Sequence, residues 1–183
     1  CKCVDEKIAG SEEFPAPGIC RAWPTNETDE RESKMSGKAK MSGKAKKINP
    51  AAEAFQAGYG LVKQNAILGP LIERAYPHFE DDYPMAMEDW AWVTSQGHIY
   101  ANSHRRASAG EWAYVLAHCL LHLGLGHIRE DREGDPLWNA ACDCVSARYL
   151  ADLHIGTPPG ALNSPLPPNA REEEKLYRWL KEH

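Results

Sequence analysis

The sequence has no run of about 18 consecutive apolar residues, so it offers no transmembrane helix. It does not begin with a basic stretch followed by an apolar one, so no secretory leader is read and a cytoplasmic location is the expectation. Positive charge is not in excess. A formal net charge of −5 and a pI near 5.9 provide no overall basic signature for nucleic acid, which is not expected as a partner. Cysteine is too sparse and irregular for a small disulfide scaffold: the six are Cys1, Cys3, Cys20, Cys119, Cys142 and Cys144. The last three are expected to be free thiols in a reducing compartment. Cys1, Cys3 and Cys20 lack both a C-x-x-C pair and a clear fourth ligand, which counts against a second zinc site there.

What the chain does have is apolar material. Hydrophobic residues make up 43% of it, with six Trp and seven Tyr, enough for the core of one ordinary domain in 183 residues. That domain is expected over residues 50–183. Residues 1–49 are expected to be a poorly ordered N-terminal extension, rich in Pro, Glu, Ser, Thr and Lys with few periodic apolar positions. Within it Met35-Ser-Gly-Lys-Ala-Lys40 is repeated perfectly as Met41-Ser-Gly-Lys-Ala-Lys46. The repeat reads as a solvated linker, because a basic arm for nucleic acid would want interleaved aromatics to stack on bases. Either methionine could also be a natural start.

Asn49-Pro50 suits the cap and first position of a helix over residues 51–64, with Phe55, Tyr59 and Val62 facing inward and Gly58 and Gly60 weakening it. A second helical piece is expected over residues 66–76, carrying Ile67, Leu68, Leu71 and Ile72 and closed by Pro77. Trp90-Ala-Trp-Val-Thr94 and His98-Ile-Tyr-Ala-Asn102 read as two strands joined by a turn at Ser95-Gln96-Gly97. The hairpin would lie beside the next helix.

That next helix is the most informative part of the chain. Ser108 followed by Glu111 forms a capping box at its start. Glu111 lies two turns before His118, about 10 Å along the axis, so it is read as a cap and not as a catalytic group. Trp112, Val115, Leu116, Leu120 and Leu123 make its apolar face, and Gly124 and Gly126 end it. His118 and His122 are four apart, which stacks both imidazoles on one face. Two such nitrogens can hold one Zn²⁺ at about 2.0–2.1 Å. The metallopeptidase motif H-E-x-x-H has this spacing, with the Glu as general base, but here Cys119 stands at the Glu position.

A charged loop, Arg129 to Asp135, leads to another helix over residues 137–153, with Asp135 as its cap and Trp138, Ala141, Val145 and Tyr149 at helical spacing. Asp143 sits in its middle among small and apolar neighbours. A carboxylate there wants a partner, and a metal held by two histidines would serve. A last amphipathic helix is expected over residues 170–181, capped by Asn169, with Leu176, Tyr177 and Leu180 facing inward.

Over roughly residues 50–182 the arrangement resembles the bacterial zincin-like metallopeptidase domain that accompanies von Willebrand factor A-like proteins. The hairpin ending at Asn102, the segment Val115-Leu-Ala-His-Cys-Leu-Leu-His-Leu-Gly-Leu-Gly-His127, the segment Trp138-Asn-Ala-Ala-Cys-Asp143 and the C-terminal Glu173-Glu-Lys-Leu-Tyr-Arg-Trp-Leu180 carry the resemblance. It implies an α+β, zincin-like fold, mostly helical, with a small sheet packed on the metal-binding helix. It also implies Zn²⁺ as cofactor, with His118 and His122 as ligands and Asp143 as the third. The departure is Cys119, which takes the family's general-base position.

In this enzyme class zinc activates a water and polarises the scissile carbonyl, while a carboxylate carries the proton. A cysteine has a pKa near 8.5 and a shorter reach, and loss of base assistance costs about 10²–10⁴-fold. Three outcomes follow. The protein is a weak peptidase, with a carboxylate from Glu130, Asp131, Glu133 or Asp135 standing in; or it is an inactive pseudopeptidase that keeps its metal for structure or for a protein partner; or Cys119 is redox-active beside the metal. The expected partners are therefore a peptide or protein substrate, or a protein ligand, and no membrane. His127 competes with Asp143 as third ligand. It lies nine residues after His118 where the extended zincin pattern wants ten, so Asp143 is preferred.

Overall fold

The computed structural model describes residues 20–22, 49–79, 89–160 and 171–182, with only the backbone described for 20–22. In chain order the elements are β1 (Cys20–Ala22), α1 (Pro50–Gln64), α2 (Gly69–Ile72), β2 (Tyr76–His78), β3 (Ala91–Val93), β4 (His98–Ala101), α3 (Ala109–Gly124), a 3₁₀ turn (Glu130–Arg132), α4 (Pro136–Leu153) and α5 (Glu173–Glu182). The class is α+β, mostly helical with a small sheet, as expected. Among the described residues no helix is long and apolar enough to cross a membrane.

The sheet has the order β1-β3-β4-β2. Strands β3 and β4 form the expected antiparallel hairpin, with Trp92 opposite Tyr100. The turn closes through Gly97, whose N–H donates to the Thr94 carbonyl at 3.0 Å, and whose φ of 91° only glycine adopts easily. The other two strands were not expected. Residues 20–22 pair in parallel with β3, inside the stretch read as unstructured, while the Met35–Lys46 repeat lies outside the described residues. Residues 76–78, where the expected helix ended at Tyr76 and was closed by Pro77, pair in parallel with β4. The helical pattern over residues 66–76 shrinks to the single turn Gly69–Ile72. Pairing with a neighbour distant in sequence outweighs a local periodicity only a few turns long, and Pro77 is tolerated because β2 is an edge strand.

Helix α1 starts as expected, with Asn49 Oδ1 accepting from the Ala51 N–H at 3.1 Å. Gly58 is not a weakness in it but its crossing point with α3. A Cβ there would stand 2.6 Å from the Trp112 Cβ and 2.8 Å from the Ala109 carbonyl oxygen. The close approach lets Phe55 stack on Phe79 and meet Trp112 edge-on, at centroid distances of 4.7 and 5.5 Å. Trp112 in turn meets Trp90 of the hairpin at 5.9 Å. Thus α3 is central: α1, α4 and β3 all pack on it, and Trp112 through Leu120 are buried without a break.

Helix α4 starts at Pro136, where Asp135 Oδ1 accepts from the Leu137 and Trp138 N–H groups at 3.0 and 3.1 Å. Of the residues at helical spacing, Trp138, Ala141 and Val145 are buried and Tyr149 is 42% exposed. Helix α5 buries Leu176 and Tyr177 against Trp138, and the Tyr177 hydroxyl donates to Asp135 Oδ2 at 2.6 Å. The last helix therefore clamps the start of α4. Its expected cap, Asn169, lies outside the described residues.

Candidate metal centre

Local chemistry sets α3 in place. Ser108 Oγ accepts from the Glu111 N–H at 3.3 Å, and Glu111 Oε2 accepts from the Ser108 N–H at 2.8 Å. Glu111 is thus occupied as a cap, as its position in the sequence suggested. After α4 the chain returns along α3. Gly156 lies so close that a Cβ would stand 2.5 Å from the Tyr114 backbone nitrogen, and the Thr157 N–H donates to the Gly110 carbonyl at 3.0 Å. This strap holds α4 along the histidine face of α3.

Three side chains converge between these helices. His118 Nε2 lies 3.0 Å from Asp143 Oδ1, His122 Nε2 lies 3.1 Å from the same oxygen, and the two nitrogens are 2.9 Å apart. His118 and His122 are buried, and the Asp143 side chain is 17% exposed. Three contacts this short cannot all be good hydrogen bonds. If both nitrogens donate to the carboxylate, their hydrogens face one another across the third side. A cation at the centre would resolve this, because all three atoms would then direct lone pairs at it. Ligands of a tetrahedral zinc stand roughly 3.3 Å apart, so these atoms would need to spread only slightly. The buried His118, His122 and Asp143 cluster can therefore hold a metal ion.

Electrostatics agree with geometry. Burial alone would raise the Asp143 carboxyl, but hydrogen bonds from His118 and His122 outweigh it and hold the group at about 2. Burial lowers His118, partly offset by its hydrogen bond to Asp143. The site thus combines an ionised carboxylate with an imidazole that resists its own proton, which suits metal ligation.

Cys119 does not join the site. It is fully buried within the main core and disulfide-bonded. The free-thiol expectation is therefore corrected at Cys119 and holds for Cys142 and Cys144. A sulfur committed to a disulfide has no lone proton site for general-base work, so Cys119 as it stands cannot carry that role. The acidic loop does not replace it. Asp131 pairs with Arg129 at 2.9 Å, Asp135 caps α4, and none of Glu130, Asp131, Glu133 and Asp135 belongs to the converging group.

His127 also stays outside the triangle. Its ring stands edge-on to His122, with centroids 4.9 Å apart. It is 4% exposed, and neither ring nitrogen has a partner. Burial, then His122 and His118, hold its imidazole down at about 3. Each buried polar atom left unpaired costs about 1–3 kcal/mol, so this residue is an expense the fold must offset.

Tyr114 was missed in the sequence. It precedes His118 by one turn, its ring 6.2 Å away, and burial followed by the Asp143 charge pushes its hydroxyl up to about 12. The signal was available, because residues 114, 118 and 122 form one ladder at helical spacing. No protein-family model matches this chain, and no curated protein or solved structure matches it significantly.

Proposed function

We propose that this chain is a zinc-binding domain of zincin-like type that keeps a peptidase's metal site for structure or for binding a protein partner, without the hydrolytic step. The observation that carries the reading is the convergence of His118 Nε2, His122 Nε2 and Asp143 Oδ1 at 2.9–3.1 Å. Two imidazoles and a carboxylate are a zinc donor set, and the resemblance of residues 115–127 and 138–143 to the zincin-like metallopeptidase domain favours that metal. Zinc bound there would lower the pKa of a coordinated water and polarise a carbonyl. At the family's general-base position beside that water stands Cys119, which a disulfide removes as a proton carrier. Without one the reaction would run about 10²–10⁴-fold slower. What the metal would do is tie α3 to α4 across the 25 residues that separate His118 from Asp143.

A second reading, residual hydrolysis of peptide bonds, is favoured by one feature. The Asp143 side chain keeps 17% of its surface in solvent, which leaves water a route to the centre.

Metal analysis of purified protein tests the main reading. Stoichiometric zinc in the wild type and its loss in His118→Ala and His122→Ala are expected, with no cleavage of an unstructured protein. Wild type without bound zinc would overturn the proposal. Cleavage that a chelator abolishes would favour the second reading.

A further inference from the structure

His127 is a buried polar side chain that the three-ligand site leaves unexplained. Its backbone is fixed twice. The His127 N–H donates to the His122 carbonyl at 3.0 Å, and the His127 carbonyl accepts from Trp138 Nε1 at 2.9 Å. The chain turns back to allow this at Gly126, with φ of 69°. The ring is then packed between His122 and Trp138, at centroid distances of 4.9 and 6.5 Å and nearly perpendicular to both. Such anchoring ordinarily delivers a side chain to a partner, yet Nδ1 and Nε2 are both buried and unpaired.

We propose that His127 is a fourth protein ligand of the ion held by His118, His122 and Asp143. The inference rests on the zinc reading above and goes beyond it. Four protein ligands complete a tetrahedral zinc and leave no position for a water, which is the form of a structural site. His127 would thus close the centre on the side where a catalytic zinc keeps its open position. The backbone is already pinned beside His122, so the side-chain bonds are the freedom left to aim a ring nitrogen at the ion. Binding would give one of the two unpaired nitrogens its partner, and Asp143 and His127 would be ligands together and not rivals.

Cobalt(II) substitution of the intact wild-type protein counts the histidines directly. Each imidazole bound to Co²⁺ shows its own strongly shifted ring N–H proton resonance. Three such resonances, absent in the metal-free protein, are expected. Only two would overturn the proposal and leave the zinc reading standing. Failure to bind Zn²⁺ or Co²⁺ at all would overturn both. In parallel, His127→Phe fills the same space without a donor. Loss of a partner outside the ligand set typically costs 10–100-fold in affinity, so loss of a direct ligand is expected to weaken zinc binding by at least about 100-fold. Unchanged affinity in a folded variant would count against a ligand role, and if the variant does not fold, the wild-type cobalt spectrum decides.

Discussion

His118 and Asp143 are 25 residues apart in the chain, yet the imidazole Nε2 and the carboxylate Oδ1 meet at 3.0 Å between two helices. Neither needs the other for its helix to form. His118 lies well inside α3, past the Ser108–Glu111 capping box, and Asp143 lies well inside α4, past the Asp135 cap. Their meeting is a product of packing, and its consequences can be measured.

Zinc should stabilise the fold by joining those helices. A ligand that binds only the native state adds about 2.7 kcal/mol at a free concentration of 100 Kd. Thermal melting of metal-free protein is expected to shift upward with added zinc, and Asp143→Ala is expected to abolish the shift. An equal shift in that variant would remove Asp143 from the ligand set.

Metal-free protein should lose stability as the pH falls. The His127 imidazole is held at about 3, against roughly 6.5 in an unfolded chain. Between those values the unfolded chain takes up a proton that the fold refuses, so acid favours unfolding. The contribution is intact above about 6.5 and is lost as the pH falls toward about 3. His118, also lowered by burial, acts in the same direction. The Asp143 contribution, from a carboxyl held at about 2, stays until the pH drops below roughly 3.9. Denaturant unfolding at about pH 7 and about pH 5 should show a smaller loss in His127→Phe than in the wild type. Identical losses would mean that His127 is not a source of the slope.

Two glycines of α1 should respond in opposite directions to alanine. At Gly58 a Cβ would strike Trp112 and the Ala109 carbonyl, so Gly58→Ala is expected to cost about 1–3 kcal/mol. At Gly60 nothing lies within 4 Å, so Gly60→Ala is expected to add about 0.5–1 kcal/mol through helix propensity. Urea unfolding of both variants would decide, and a tolerated Gly58→Ala would refute the close crossing of α1 and α3.

The Cys119 disulfide should matter to stability and not to metal. Its removal in Cys119→Ser is expected to cost about 2–4 kcal/mol, as disulfides typically contribute, while zinc stoichiometry is kept. A reductant should destabilise the wild type and leave the variant unchanged. Equal sensitivity in both would place the effect elsewhere.

Much of the site was legible in the residues. The spacing of His118 and His122, the Ser108–Glu111 capping box, the Asn49 and Asp135 caps and the β3–β4 hairpin all depend on neighbours within a few positions, and a linear pattern reports such things directly. Asp143 could be singled out as a carboxylate in want of a partner, and the pair of histidines as its match. The pairing of residues 20–22 with β3 and of residues 76–78 with β4 left no such trace, because a three-residue strand carries almost no periodicity and is stabilised by a partner strand far away in sequence. Gly58 looked like a flaw in a helix until α3 was seen to cross it. Cys119 looked like a substitution in a motif until its side chain was found in the main core, bonded away from the chemistry.

The sequence by itself determined that two histidines share one face of a well-capped helix, since the 3.6-residue turn permits no other arrangement of residues 118 and 122. Only the tertiary structure decided which carboxylate meets them, because α4 is brought to α3 by the burial of side chains spread along the chain and by the strap at Gly156. It also decided that His127 is buried without a partner, because burial is a property of the packed whole and hydrogen-bond satisfaction can be judged only when every neighbour is in place.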